Sequence, residues 1–399
     1  MSDEAQGRSA GLLHRGSGFL AATTRQTSQR GSERDMNGLT TNRRQALKLM
    51  GVLAAPMIIR PRASWAQGKV LNITTYDKFV PQEFIDKFQS DTGIEVRIRL
   101  TDDQGKQYNL LTAEGSNPST DIVTVTGHRL TQFINSNLLA AVDTGRLKNW
   151  GNLAPSYKDA PQLTIDGKVW GVPLLAGFEA LARNTEYTKA SDSWSILFDP
   201  EYKSYTSYII SDFLSITMRY LGKDGDYVTY EGKREEAQQA TNEARDFLIK
   251  HKDMVRKYYD AGSEMQQMFV NEDIYLAQTW SGPTSKLIMD GHPIELSIPK
   301  EGTYGFLYSF NVVNNAPNAD SAYLFLDAIL ASPEIGAAMT RQSGFTSTFN
   351  GVDKVLNDRE RAASTLPEEQ IQRIQFFSSV NRDMKNELID RAVAEIKAA

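Results

Sequence analysis

The chain has 399 residues, with 44 Lys and Arg against 49 Asp and Glu, four His and no Cys. That length suits two or three domains with a substantial core, and 40% apolar with 23% charged residues is a globular rather than a disordered composition. The lack of cysteine excludes disulfide scaffolds, thiolate zinc sites, thiol nucleophiles and acylated-cysteine anchors. A net charge of −5 argues against nucleic acid, whose phosphates require a concentrated basic surface.

Charge is unevenly placed. Residues 1–66 carry ten basic residues and four acids, which leaves 34 basic and 45 acidic residues, a net of −11, for 67–399. Residues 1–35 are rich in Gly, Ser, Thr and Arg without sustained periodicity; they read as disordered or not translated, with Met36 as the start. Arg43-Arg44 then precede an apolar run of about 11 residues from Leu49 to Ile59, too short for the ~20 of a membrane span. Ser64-Trp65-Ala66 supplies small residues for cleavage before Gln67. Paired arginines ahead of a short apolar stretch read as a twin-arginine export signal over 36–66. A soluble periplasmic protein without a lipid anchor follows from that reading.

The remainder alternates short strands with amphipathic helices. Val70–Thr75 is β-rich, Pro81 opens a helix with Phe84, Ile85 and Phe88 at helical spacing, and Gly93 stops it. Ile94–Leu100 alternates as a strand, Gln104–Glu114 reads as a helix and Asp121–Val125 as a strand. Later come strands at Tyr208–Ile210, Ile274–Trp280, Ile294–Ile298 and Ser309–Val313. Helices are expected at Phe213–Leu221, Glu235–Lys250, after Pro283 to Met289, at Ser321–Leu330, and at about 367–379 and 382–398. A β-α-β rhythm predicts an α/β fold with a mainly parallel sheet flanked by helices.

Enzyme signatures are absent from residues 67–399, which have no Walker-type loop, Gly-x-Gly-x-x-Gly, Gly-x-Ser-x-Gly or His-Glu-x-x-His. No catalytic residue, metal site or cofactor is expected. Three strand ends stand out instead. Tyr76-Asp77 ends the first strand, His128 follows the Asp121 strand, and Trp280 ends the Ile274 strand. Ligand crevices form at such carboxyl ends. Aromatic faces there would attract ammonium groups by about 0.5–2 kcal/mol each.

Ordered segments carry a resemblance. They include Tyr76-Asp77-Lys78-Phe79-Val80-Pro81, Asp91-Thr92-Gly93-Ile94-Glu95-Val96, Asp121-Ile122-Val123, Trp170-Gly171-Val172-Pro173, the Ser193–Lys203 stretch, Trp280-Ser281-Gly282 and Ile298-Pro299-Lys300-Glu301-Gly302. In order and spacing, across nearly all of 70–350, the chain resembles the periplasmic spermidine/putrescine-binding proteins that serve ABC importers.

The resemblance implies a two-lobed periplasmic-binding-protein fold, each lobe a mainly parallel sheet flanked by helices. Crossing segments near Val172–Gly177, Ile298–Gly305 and Gly344–Gly351 would join residues 67–175 plus 303–345 to 176–302 plus 346–399. A monomer would hold a small amine-bearing ligand between the lobes and dock on inner-membrane permease subunits. The family's ligand positions fall on Tyr76, Asp77, His128, Asp212, Trp280, Phe306, Tyr308 and Phe345, with Glu179 just past the first crossing. A second acid one helical turn after Asp212 is Ser215 here, and the key aspartate before the Asn311 strand is Tyr308. A polyamine is the first ligand expected. A zwitterion such as 4-aminobutyrate is the alternative, with Arg129 and Arg183 as candidate carboxylate partners. A ligand-presenting sensor component and an exported enzyme are the further alternatives.

Overall fold

A computed structural model describes residues 69–101 and 103–399. The export signal, its cleavage point and the Met36 start lie outside the described residues. Strand β1 (Val70–Thr75) leads into helix α1 (Gln82–Thr92), then β2 (Glu95–Leu100). Helix α2 (Gln104–Glu114) starts where the Asp103 carboxylate accepts from the Lys106 backbone N–H at 2.8 Å. Strand β3 (Ile122–Thr126) follows, and β2 and β3 both run parallel to β1, as the alternating pattern predicts.

The middle of the chain is built differently. After α3 (Leu130–Asn135), α4 (Pro155–Lys158) and the small hairpin β4 (Thr164–Ile165) and β5 (Lys168–Val169), strand β6 runs for 13 residues, Val172–Asn184, buried almost throughout. Next come β7 (Thr206–Tyr208), α5 (Ile210–Tyr220), α6 (Arg234–Lys250), β8 (Val255–Tyr258), α7 (Gly262–Val270), β9 (Leu276–Trp280) and α8 (Ser281–Met289). The chain continues with β10 (Ile294–Ser297), β11 (Thr303–Val312), α9 (Ala319–Ile329), α10 (Pro333–Ser343), β12 (Thr346–Ser347), α11 (Asp358–Ser364), α12 (Glu368–Ile371), β13 (Ile374–Phe376) and α13 (Arg382–Ala398).

One mixed sheet carries these elements in the order β2-β1-β3-β11-β6-β9-β7-β8. Its two ends are parallel, β2-β1-β3 on one side and β9-β7-β8 on the other. Its centre is antiparallel, because β11 pairs with both β3 and β6, and β6 pairs in turn with β9. The first part of β6, Val172–Phe178, lies against β11 and the rest, Glu179–Arg183, against β9. A near-continuous apolar run is what burial on both faces demands of such a strand.

Separate cores flank the two ends. One gathers Leu71, Ile73, Phe84, Phe88, Phe310 and Phe325; the other gathers Trp194, Tyr208, Phe213, Tyr227, Leu248 and Leu388. No single helix among the described residues is long and apolar enough to cross a membrane. The 90° bent pair α9 and α10 passes that test only when counted together, and its buried apolar residues belong to the first core.

Two expectations are corrected. Residues 367–379 do not form one helix: α12 ends after a single turn, and β13 pairs parallel with the Thr303–Gly305 end of β11. Backbone groups on that stretch of β11 are satisfied by the last segment, Thr303 N–H donating to Arg373 O and Phe377 N–H to Gly305 O. The strand expected at Ser309–Val313 also begins earlier, at Thr303, so that one strand spans the sheet centre.

Candidate functional site

Four ring-bearing elements meet at the middle of the sheet. The chain leaving β1 turns at Tyr76, whose ring lies 5.2 Å from Phe79 and 5.5 Å from Tyr308. Phe306 and Tyr308 stand two residues apart on β11, their rings 5.4 Å apart. Past α10 the chain delivers Phe345, 5.5 Å from Tyr308 and 5.9 Å from Phe306. Gly177 of β6 admits this packing, since a Cβ there would sit 2.4 Å from Phe306 and 2.8 Å from Phe345. Trp280 and Tyr76 pack against the same core. The structure therefore unites five of the predicted aromatics and adds Phe79, part of the Tyr76–Pro81 motif but not among the expected ligand positions.

Carboxyl groups lie beside these rings. The β6–β9 register sets Glu179 opposite Trp280, and the Trp280 indole Nε1–H donates to Asp212 Oδ2 at 2.9 Å. Glu179 is 1% exposed; its carboxylate accepts from Gln278 Nε2, and its backbone oxygen accepts from Thr303 Oγ1 at 2.9 Å. Burial pushes the Glu179 carboxyl well above the usual carboxylate range, and the neighbouring Asp212 charge adds to it. Burial also raises Asp212, against the opposing pull of Trp280 and the Lys385 and Arg382 cations. The Tyr308 hydroxyl is raised by burial and by Tyr76, Glu179 and Asp212, so these polar ends share one electrostatic neighbourhood. The buried Glu179 and part-buried Asp212 carboxyls, neither in an ion pair within 4.0 Å among the described residues, lie beside ring faces and form a place for a protonated amine.

A second group of charges comes from the end of β3 and from the C-terminal helix. His128 follows β3; its Nε2 is 3.3 Å from Thr126 Oγ1 and its ring is 5.4 Å from Phe377. Thr126 makes no side-chain cap, because its hydroxyl is engaged with Gln104 and His128. Burial pushes His128 well down, and the Arg382, Lys385 and Arg129 charges add to it, so the ring is neutral. Lys385 pairs with Asp226 at 2.9 Å, both side chains almost wholly buried, and its ammonium lies 4.1 Å over the Phe377 ring.

Not every predicted residue joins the cluster. Asp77 is exposed, and its side chain has no hydrogen bond or ion pair among the described residues. Arg183 is overturned as a carboxylate partner, since it is fixed by Glu295 at 3.1 and 2.6 Å and by Thr188 O at 3.1 Å. Lys385, Arg382 and Phe377 were not foreseen. A signal for Lys385 existed: it shares the helical stripe of Leu388, Ile389, Ala392 and Ile396, the buried face of α13. A lysine on an apolar stripe requires a buried partner. Among the described residues no group of three or more His, Asp or Glu side chains is placed to hold a metal ion.

Comparison with known proteins follows the same lines. The chain is 24% identical over 303 residues to the putrescine-binding periplasmic protein PotF of Escherichia coli K12, covering 71% of this chain and 79% of that one. It is 24% identical over 319 residues to the putrescine/agmatine-binding protein of Pseudomonas aeruginosa PAO1, covering 75% and 83%. Among solved structures, the spermidine/putrescine ABC transporter substrate-binding protein PotD of Streptococcus pneumoniae superposes with a TM-score of 0.70 at 17% identity, covering 83% of this chain and 99% of that one. Periplasmic binding proteins thus share its mixed α/β fold. Residues 83–363 match the family described as bacterial extracellular solute-binding protein, and the chain belongs to that family.

Proposed function

We propose that this protein is the periplasmic receptor of an ABC importer and captures a small amine-bearing solute, a polyamine such as putrescine or spermidine being the first candidate. The observation that carries the reading is the buried Glu179 carboxyl and the part-buried Asp212 carboxyl set beside Trp280 and Tyr308. The names of the relatives, all solute-binding proteins, support a non-catalytic role. Residues 67–175 with 303–345 and residues 176–302 with 346–399 act as two lobes. The change of partner along β6 between Phe178 and Glu179 supports a hinge at that point. Ligand held by both lobes favours their closed arrangement through its differential affinity for that state, and the closed monomer docks on membrane permease subunits. A twin-arginine leader at 36–66 delivers the folded receptor, and a chain without cysteine supports one free of an acyl-cysteine anchor.

A thermal-shift screen of residues 67–399 against polyamines, amino acids, betaines and 4-aminobutyrate tests this. Ligand at 100 times its Kd stabilises by about 2.7 kcal/mol, a readily measured shift. Failure of every amine-bearing solute to raise Tm would reject the reading.

A further inference from the structure

The charges around the site do not suit a ligand that is cationic at both ends. Arg129, Arg382 and Lys385 all bear on His128, and Lys385 and Arg382 bear on Asp212 as well. Opposite them are Asp226, Asp212 and Glu179. Asp226 is committed: it pairs with Lys385 and accepts from Ser378 N–H at 2.7 Å. Neither Arg129 nor Arg382 has an ion-pair partner within 4.0 Å among the described residues. Burial, with the Arg129 charge adding to it, lowers Arg382 to about 10, against the opposing pull of Asp226, Asp212 and Asp383. Two donor nitrogens here are buried without a hydrogen-bond partner, Arg382 Nε and His128 Nδ1. In the tautomer where His128 Nε2 accepts from the Thr126 hydroxyl, Nδ1 carries the hydrogen and is a buried donor without a partner.

Unpaired buried donors are costly, about 1–3 kcal/mol each, and the cost rises for charged groups. Two guanidiniums without a carboxylate are the arrangement that a bound carboxylate completes, because each presents a planar fork of N–H donors. A diamine would bring two further positive charges into a region already holding three cations. A zwitterion brings none in net, and its amine end still meets Glu179 and Asp212.

Resting on the amine-receptor reading above, we propose that the bound solute is a zwitterion. Its ammonium lies at Glu179, Asp212 and the Trp280 and Tyr308 rings, and its carboxylate at Arg129, Arg382 and His128 Nδ1. The side chains that set this preference come from the end of β3 and the first turn of α13, where Arg382 is a specificity residue.

Isothermal titration of residues 67–399 decides it, with three probe sets at one ionic strength. The first is a series of amino acids from glycine to 6-aminohexanoate, which also measures the spacing of the two ends. The second is putrescine, and the third is butylamine. At least one zwitterion is expected to bind tenfold or more tightly than putrescine. In Arg382→Gln, and separately in Arg129→Gln, the preference for that zwitterion over butylamine is expected to fall at least thirtyfold, with circular dichroism confirming a folded chain. Putrescine binding more tightly than every zwitterion, or an unchanged preference in both variants, overturns the zwitterion and leaves the amine receptor standing. No binding by any of the three sets overturns both.

Discussion

The indole nitrogen of Trp280 donates to the Asp212 carboxylate at 2.9 Å, and this fixes a ring face and a negative charge at one point. Removing the ring in Trp280→Ala takes away the apolar wall and leaves Asp212 without its donor. The affinity of the tightest-binding amine is expected to fall by about 2 kcal/mol or more, roughly thirtyfold. Trp280→Phe keeps a ring but loses the hydrogen bond and should fall between the two. Titration calorimetry of all three proteins checks the order; equal affinities would remove Trp280 from the site.

Acid strength at the site gives a signed pH dependence. An ammonium ligand requires ionised carboxyls, while Glu179 is held well above its ordinary value of 4.5 and Asp212 above 3.8. Affinity is therefore expected to rise from pH 5 to 8, by at most about tenfold per pH unit for each proton released. The measured binding enthalpy should vary with the ionisation enthalpy of the buffer. The ligand-free protein runs the other way: its folded state holds protons that the unfolded chain gives up, so this contribution to stability declines as pH rises above the ordinary carboxyl values. Glu179→Gln should flatten both trends, and a flat wild-type profile would contradict the assignment.

The Lys385–Asp226 pair at 2.9 Å ties α13 to the turn after α5. Taking away one partner strands a buried charge, so Lys385→Met is expected to cost about 3–5 kcal/mol of stability. Asp226→Asn added to it should recover at least half, because no charge is then left alone. Urea unfolding of the two variants and the wild type measures both steps.

Gly344 sits at φ 76°, and a Cβ there would lie 1.9 Å from Gly282 O. Left-handed backbone alone costs an L-residue about 1–2 kcal/mol, and relief of the contact must shift Phe345, the next residue. Gly344→Ala is expected to lower the urea midpoint by the equivalent of at least about 2 kcal/mol. It should weaken ligand binding as well. An unchanged midpoint would mean that the Gly344–Gly282 contact yields without effect.

Local pattern foretold the two parallel ends of the sheet well. Gln104–Glu114 was expected as a helix and is one, and Val70–Thr75 is a strand with the bounds that its β-rich run suggests. The aromatic wall was legible through motif order: Tyr76, Phe306, Tyr308, Phe345 and Trp280 pack against one core. What escaped was decided by tertiary pairing. Residues 374–376 carry no strong strand signal and are extended because β11 offers them backbone partners. Lys385 reads as one more solvated lysine until Asp226, 159 positions earlier, folds beneath it. Arg183 failed for a related reason, since closeness in sequence to the first crossing says nothing of the face a strand residue occupies, and Glu295 of the antiparallel neighbour β10 claims it.

The central placement of β11 has a consequence for synthesis. Val125 and Ser309, bonded across the β3–β11 ladder, are 184 positions apart. At a ribosomal rate of about 5–20 residues per second, β3 waits roughly 10–40 s with one edge bare after it emerges. An unpaired edge of five buried apolar and threonine residues is a template for pairing with another chain. The nascent protein is thus most vulnerable to aggregation just before Val312 leaves the ribosome, and a holding chaperone would do the most for it in that interval.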